Sequence, residues 1–321
     1  MDRNKKYWKP KSNLWFFLAV TALAAALATD VLVPNVQETD TLYYQAVLAA
    51  SIAVLLILFG IPVFSSGLGG RLYHYSQFIA AAGLFLTFLD LLTTKSNILK
   101  LPFFPGPARI VEVLFTERGM LLVCTAHSLR LFFAGLAGGV VLGIVTGVLT
   151  GWNRQWNYWL FPVIKVAGVI PPVAWIPLAL VVFPSSFYAG IFLLTVASWF
   201  TIAFMVSTGI ASTPKEYFEA SRTLGADERY LLFHVAIPNA APNIFTGIVT
   251  SAGMCFMMLV ITEMIGAKAG LGWYINWAKA WASYDKVYAS IVIMGVAFCI
   301  ILAVINVFRS YFLRWQRGIV Q

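Results

Sequence analysis

TPKEYFEASRTLGADERYLLFHVAIPNAAP, residues Thr213–Pro242, is the one long polar interval in the C-terminal two-thirds of a chain that is otherwise nearly continuous apolar sequence. The order Thr213-Pro214-Lys215-Glu216 predicts a helix start with a capping box and proline at the first helical position. Gly225 stands where a helix C-terminus needs a residue free to take positive φ. Asp227 is then placed to cap a second helix over Glu228–Ala236, and Pro238 to stop it. The stretch reads as two short helices bent at Gly225 and displayed on a membrane surface.

The rest of the chain supplies that membrane. Hydrophobic residues make up 60% and charged residues 11% of the sequence, and the mean hydropathy is +0.82. These values place it among all-α polytopic membrane proteins. The net charge of +9 does not imply nucleic acid, because the basic residues sit mostly at the ends of apolar spans. Cys124, Cys255 and Cys299 lie apart inside apolar runs and read as small core residues. His74, His127 and His234 are equally scattered, so no metal site, catalytic residue or cofactor is expected.

In chain order, Met1–Asn13 carries Arg3, Lys5, Lys6, Lys9 and Lys11 and is expected to stay in the cytoplasm. The first apolar run lacks the short core and cleavage site of a secretory signal. About eight spans of roughly 20 residues are expected, at Leu14–Val33, Ala46–Val63, Ser76–Leu92, from Leu121, Phe161–Phe183, Tyr188–Ile210, Asn243–Ile265 and Val287–Phe308. With both termini inside, basic residues such as Arg71, Arg154, Lys215, Arg222, Arg309, Arg314 and Arg317 fall on the cytoplasmic side. They outnumber those outside, Lys95 and Lys268 among them. Leu101–Met120, with three prolines and a glycine, predicts a broken opening and then a short amphipathic surface helix.

Three features inside the spans call for function or close packing. Gly135, Gly139, Gly143, Gly147 and Gly151 recur every four residues, which puts one bare stripe on a helix face. The stripe fits packing within the subunit or a dimer seam. Pro162, Pro171, Pro172, Pro177 and Pro184 break the fifth span, and a broken helix must face protein or a water-filled path. Arg130, following His127-Ser128-Leu129, lies roughly 13 Å below the surface at 1.5 Å per residue, and Glu263 sits near the matching end of the seventh span. Two opposite charges in one low-dielectric layer are expected to pair. Such a pair serves either as a structural gate or as an anion-recognition site.

Glu219-Ala220-Ser221, three residues, Gly225, nine residues, Val235, one residue and Ile237-Pro238 resemble the EAA signature of ABC importer permeases, with Ser221 in place of the second alanine. IPPVAWIPLAL (170–180) and AKAGLGWYI (267–275) resemble the permeases for nitrate, taurine, alkanesulfonates and bicarbonate. Met205-Val206 stand where that family commonly shows Asn-Thr, which puts the substrate in doubt. The resemblance covers roughly Leu101–Arg317. It implies a type I importer permease core, residues 76–321, preceded by an N-terminal extension, residues 1–75, of a basic tail and two extra transmembrane helices. By that resemblance Glu219, Ala220, Arg222, Gly225, Ala226 and Pro238 couple to a cytoplasmic ATPase. Ser128, Arg130, Pro171, Pro172, Trp175, Pro177, Met205 and Glu263 are placed along the pathway or gate. The implied partners are ABC ATPase subunits, an extracytoplasmic substrate-binding protein, a second permease subunit in a homodimer, and inner-membrane lipid. The chain has no G-x-x-x-x-G-K-[ST] loop, so ATP would be bound by the partner and the chain itself is not an enzyme. The implied cargo is a small anion, with a neutral or cationic vitamin precursor as the alternative. An ion-gradient transporter would need coupling carboxylates beyond Glu263, Asp90 and Asp30 and would leave the elbow unexplained. A membrane-embedded enzyme would need clustered catalytic groups, which the sequence does not place together.

Overall fold

The computed structural model describes residues 12–37, 39–60 and 68–314. The basic tail through Lys11, Glu38 and Arg317 lie outside the described residues, as do most side chains of the loop near Arg71. Among the described residues the regular structure is helical, with no strand. Six helices are long and apolar enough to cross a membrane. A bent pair, Arg154–Val169 with Pro172–Val182, makes a seventh, and Leu42–Ile57 is a shorter apolar helix at the position expected for the second span. The chain divides into two compact units, Met1–Gly119 with Ala278–Ala289, and Met120–Trp277 with Ser290–Gln321.

The first unit contains α1 (Ser12–Leu32), α2 (Leu42–Gly60), α3 (Leu68–Asp90) and α4 (Pro107–Thr116). Small side chains let α1 and α3 approach closely. Ala19, Ala22 and Ala26 are buried, and a Cβ on Gly83 would lie 3.1 Å from the Ala22 backbone. The third span therefore packs with the first, so the break in compactness falls near Gly119 rather than at residue 75. Helix α4 is the expected amphipathic helix, opened by Gly106 and by Pro107 at its first turn. Lys95 departs from expectation: it is no exposed loop charge. Its ammonium is buried in a π-helical turn, Leu91–Lys95, that extends α3. It donates to the carbonyl of Asp30 at 3.0 Å, to the carbonyl of Val33 and to Asn35 Oδ1.

The second unit is built on α5 (Arg118–Trp152), α6 (Arg154–Val169), α7 (Ile176–Val182), α8 (Ser186–Ala211), α11 (Ile237–Gly266) and the later part of α13 (Tyr284–Phe312), with α9 (Lys215–Thr223), α10 (Glu228–Tyr230) and α12 (Leu271–Ala280) as short connectors. The glycine stripe of α5 packs within the chain against α8. Each glycine faces a residue four further along α8: Gly135 meets Leu194, Gly139 Ser198, Gly143 Ile202, Gly147 Val206 and Gly151 Ile210. The missing side chains also let Thr195 Oγ1 donate to the Gly135 carbonyl at 3.1 Å and Trp199 Nε1 to Thr146 Oγ1 at 2.9 Å. Leu131, Phe132, Leu193, Leu194, Cys255, Met258 and Leu259 fill the core between α5, α8 and α11. Cys124 and Cys255 are buried as expected, but Cys299 is exposed on α13. That helix turns Ile291, Val292, Val296, Ile300 and Val304 outward, as a lipid-facing span does.

The seam sets a contrast. A Cβ on Gly143 would lie 2.7 Å from Ile202 Cβ, an atom fixed to the backbone. Gly143→Ala should destabilise the protein by about 1–3 kcal/mol through overpacking. Gly295→Ala, where nothing lies within 4 Å, should stabilise by about 0.5–1 kcal/mol through lower unfolded-state entropy. Thermal unfolding of both variants in detergent checks the opposite signs.

Candidate functional site

Glu263 is 1% exposed near the C-terminus of α11, and an unpaired carboxylate there would be expensive. Two donors answer it. Ser128 Oγ on α5 lies 2.7 Å from Oε1 and 2.8 Å from Oε2, and the Gly272 amide donates to Oε2 at 2.8 Å. The Ser128 hydroxyl in turn accepts from the Leu271 amide at 2.8 Å. The loop can wrap the carboxylate only because it is glycine. Gly270 has φ +125, and a Cβ there would run into the Glu263 carboxylate; a Cβ on Gly272 would lie 2.7 Å from Glu263 Cβ. The loop Gly270-Leu271-Gly272 thus closes over the buried carboxyl group, with the Gly272 amide on Glu263 and the Leu271 amide on Ser128.

This arrangement corrects the expected Arg130–Glu263 ion pair. With both Glu263 oxygens occupied by neutral donors, Arg130 turns to the face of Phe187, its guanidinium carbon 5.0 Å from the ring centroid. Arg130 and Glu263 do share a cleft of about 310 Å³, lined also by His127, Leu131, Ser185, Ser186, Phe187, Thr262, Ala267, Lys268 and Ala269. His127, Arg130 and Lys268 are exposed in it, and none has a carboxylate partner among the described residues. The cleft is therefore a basic mouth whose one acid is already satisfied. His127 and Lys268 were missed as site residues, although the three-residue spacing of His127 and Arg130 puts them on one helix face.

The proline-rich span breaks as expected. α6 ends at Val169, Pro172–Trp175 form a single 3₁₀ turn, and α7 follows at a bend of 96°. Trp175 and Pro162 line an open groove of about 510 Å³ with Val163, Val166, Ala167, Ile170, Phe192, Val196 and Trp199. The buried Trp175 Nε1 meets no acceptor among the described residues. Pro171, Pro172 and Pro177 make the break. Met205 on α8 packs against Gly247 of α11.

At the other end of α8, the polar stretch folds as an elbow. α9 ends in a left-handed Gly225, φ +87, with the Ala226 amide reaching back to the Ser221 carbonyl at 3.1 Å. Asp227 Oδ1 accepts from the Tyr230 amide at 2.8 Å and caps α10. Two expectations fail here. Thr213 does not cap α9, because its hydroxyl accepts from Asn239 Nδ2 at 3.1 Å, and Pro214 occupies the cap position. Pro238 does not stop the second helix. The π-helical turn Leu231–Ala236 shifts the hydrogen-bond register just before it, so α10 continues into α11 as one helical span, Glu228–Gly266. Glu219 and Arg222 are exposed, and Arg222 pairs with Glu228 at 2.7 Å across the bend.

Residues 139–318 match the family described as binding-protein-dependent transport system inner membrane component. A permease protein of an ABC transporter from Methanocaldococcus jannaschii is 37% identical over 40% of this chain and 48% of its own length. Nitrate import permease protein NrtB of Synechococcus elongatus is 29% identical over 39% of this chain and 43% of its own. Bicarbonate transport system permease protein CmpB of the same species is 30% identical over 51% of this chain and 57% of its own. The chain thus spans about half the length of these curated relatives. In fold it is similar to a chain of the inward-facing MetNI methionine ABC transporter, with a TM-score of 0.54 at 22% identity, over 61% of this chain and 98% of that one.

Ser128→Ala removes one donor from Glu263 and leaves the Leu271 amide without its acceptor. It should cost about 1–3 kcal/mol per orphaned group. Glu263→Gln keeps one carbonyl oxygen that can accept from both Ser128 and Gly272, so it should be the milder change. Thermal unfolding of the two variants side by side reads the difference.

Proposed function

The chain belongs to the family of binding-protein-dependent transport system inner membrane components, and on that premise we propose that it is the pathway-forming subunit of an ATP-driven importer of small anions. Two copies form the translocation path in the cell's inner membrane with both termini in the cytoplasm. A separate ATPase docks on the elbow, and a substrate-binding protein delivers cargo from outside. The observation that carries this reading is the elbow. An exposed helix, α9, turns at left-handed Gly225 into a second helix that runs unbroken from Glu228 to Gly266 and carries Glu263 near its far end. Leu224, 89% exposed, sits at the elbow's tip, Tyr217 and Tyr230 on the two flanking helices are exposed as well, and together they offer apolar surface to a docked partner. Movement of the elbow would therefore be carried along a helix of 39 residues, roughly 58 Å at 1.5 Å per residue.

The anion assignment rests on the basic cleft. Arg130, His127 and Lys268 present donors there while Glu263 is held by Ser128 and Gly272. A planar oxyanion can take two parallel hydrogen bonds from the Arg130 guanidinium, a geometry lysine does not offer. The nitrate and bicarbonate relatives favour the same class of cargo.

The test uses the complex purified with its ATPase and binding protein, in vesicles, with nitrate, bicarbonate and taurine as cargo. Uptake should require ATP and should survive collapse of the ion gradients; uptake that instead follows an ion gradient overturns the reading. Arg130→Lys should lower anion uptake about tenfold, the effect of losing one charge-assisted fork, while leaving ATPase assembly intact. A variant that transports normally removes the anion role from Arg130. Gly225→Val forces a β-branched residue into positive φ, a strain of about 1–2 kcal/mol or more. It should give an inserted complex whose ATP hydrolysis is no longer stimulated by loaded binding protein.

A further inference from the structure

The N-terminal unit holds a buried polar cluster that transport through the second unit does not use. It forms where α1 ends, α2 begins and α3 passes into its π-helical turn, and it gathers Asp30, Tyr44, Asp90, Thr94 and Lys95, none more than 7% exposed. Asp30 Oδ2 accepts from Gln45 Nε2 at 2.8 Å, but Oδ1 has no hydrogen bond and lies 4.0 Å from Lys95 Nζ. Lys95 is already engaged by the carbonyls of Asp30 and Val33 and by Asn35. Neither oxygen of Asp90, which is 0% exposed, is met in full hydrogen-bond geometry, the Thr94 hydroxyl being a donor that approaches it, and the Tyr44 hydroxyl has no hydrogen-bond partner among the described residues. Asp90 lies within electrostatic reach of Asp30 and Lys95, and Tyr44 lies within reach of both carboxylates.

Two carboxylates and one ammonium, all ionised, leave one negative charge without compensation in a buried site, a state that proteins avoid by pairing, by taking up a proton or by binding an ion. The unsatisfied atoms are all oxygens, a set that suits a hard, closed-shell cation and not a soft transition metal. The single excess charge is neutralised by a monovalent ion, whereas a divalent one would leave a buried positive charge. The backbone is also shaped for the site. The π-helical turn brings Thr94 and Lys95 inward, and Gly106 leaves room for the Thr94 hydroxyl where any Cβ would collide with it.

We propose that Asp30, Asp90, Tyr44 and Thr94 form a binding site for one monovalent alkali cation that pins the ends of α1, α2 and α3 together. The ion neutralises Asp90, and its ligands come from all three helices, so occupancy ties the N-terminal unit into one packed body. The site is independent of the transport reading and stands or falls apart from it.

The experiment measures thermal unfolding of the full chain in detergent at constant ionic strength, in sodium chloride, potassium chloride or choline chloride, with ²²Na⁺ binding alongside. The expected result is a saturable rise in Tm of about 3 °C in sodium or potassium over choline, as linkage requires of a ligand that binds only the folded state. Binding should reach one ion per chain. Asp90→Asn should abolish both the Tm response and the binding, while being as stable in choline as in sodium. Should Asp90→Asn fail to fold, Tyr44→Phe, which removes one oxygen, should raise the sodium midpoint several-fold. Equal Tm in all three salts with no bound ²²Na⁺, as a proton on Asp90 or an ordered water would give, overturns the proposal. So does a sodium response that Asp90→Asn and Tyr44→Phe leave unchanged.

Discussion

A buried carboxylate with only neutral donors organises the transport unit. Glu263 lies in a core of Leu131, Leu259 and neighbouring apolar side chains, where solvent cannot stabilise it. Its two oxygens are met by a hydroxyl from α5 and an amide from the loop after α11. That requirement fixes the loop at Gly270 and Gly272, draws the start of α12 onto α5, and leaves Arg130 without an acid. One short network therefore closes the fold at this end and makes the cleft basic.

At the opposite end of α11 the constraint is backbone accounting. A chain in lipid has no water to satisfy free carbonyls, so each proline must be absorbed by an altered turn. Pro238 is absorbed by the π-helical turn Leu231–Ala236, which keeps the elbow and the span continuous. Pro171, Pro172 and Pro177 are absorbed by a true break, with a 3₁₀ turn and a bend of 96°. The same residue type thus yields a stiff connection in one place and a corner in another. The difference follows from spacing. In α11 Pro238 and Pro242 stand a full turn apart, each costs one hydrogen bond, and the turns between them compensate, whereas three prolines within seven residues leave too few donors for a continuous helix.

The two units also answer intramembrane charge differently. In the transport unit, Arg130 is exposed to a cleft and Glu263 is satisfied by hydroxyl and amide. In the N-terminal unit, Asp30 and Lys95 approach at 4.0 Å and Asp90 is not met in full hydrogen-bond geometry. The first arrangement leaves cationic donors open to a diffusible anion. The second leaves oxygen acceptors sealed among helix ends.

The sequence by itself determined the elements and the family. Long apolar runs with basic ends give spans because the bilayer admits few other structures. Gly225 and Asp227 mark their turns because φ > 0 and an uncapped amide are local problems with local answers. What the tertiary structure decided was every pairing between elements. The glycine stripe is equally legible as a dimer seam until Leu194, Ser198, Ile202, Val206 and Ile210 are seen against it. Arg130 and Glu263 look like partners from their depths alone. Their separation depends on Ser128 Oγ, on backbone amides and on the face of Phe187, and such groups leave no charge pattern in a sequence. Lys95 reads as a loop cation, and only the fold of α1 back onto α3 supplies the carbonyls that bury it. Local conformation is set by neighbours along the chain, whereas partners for buried polar groups are chosen by whichever distant atoms packing brings within 3 Å or so.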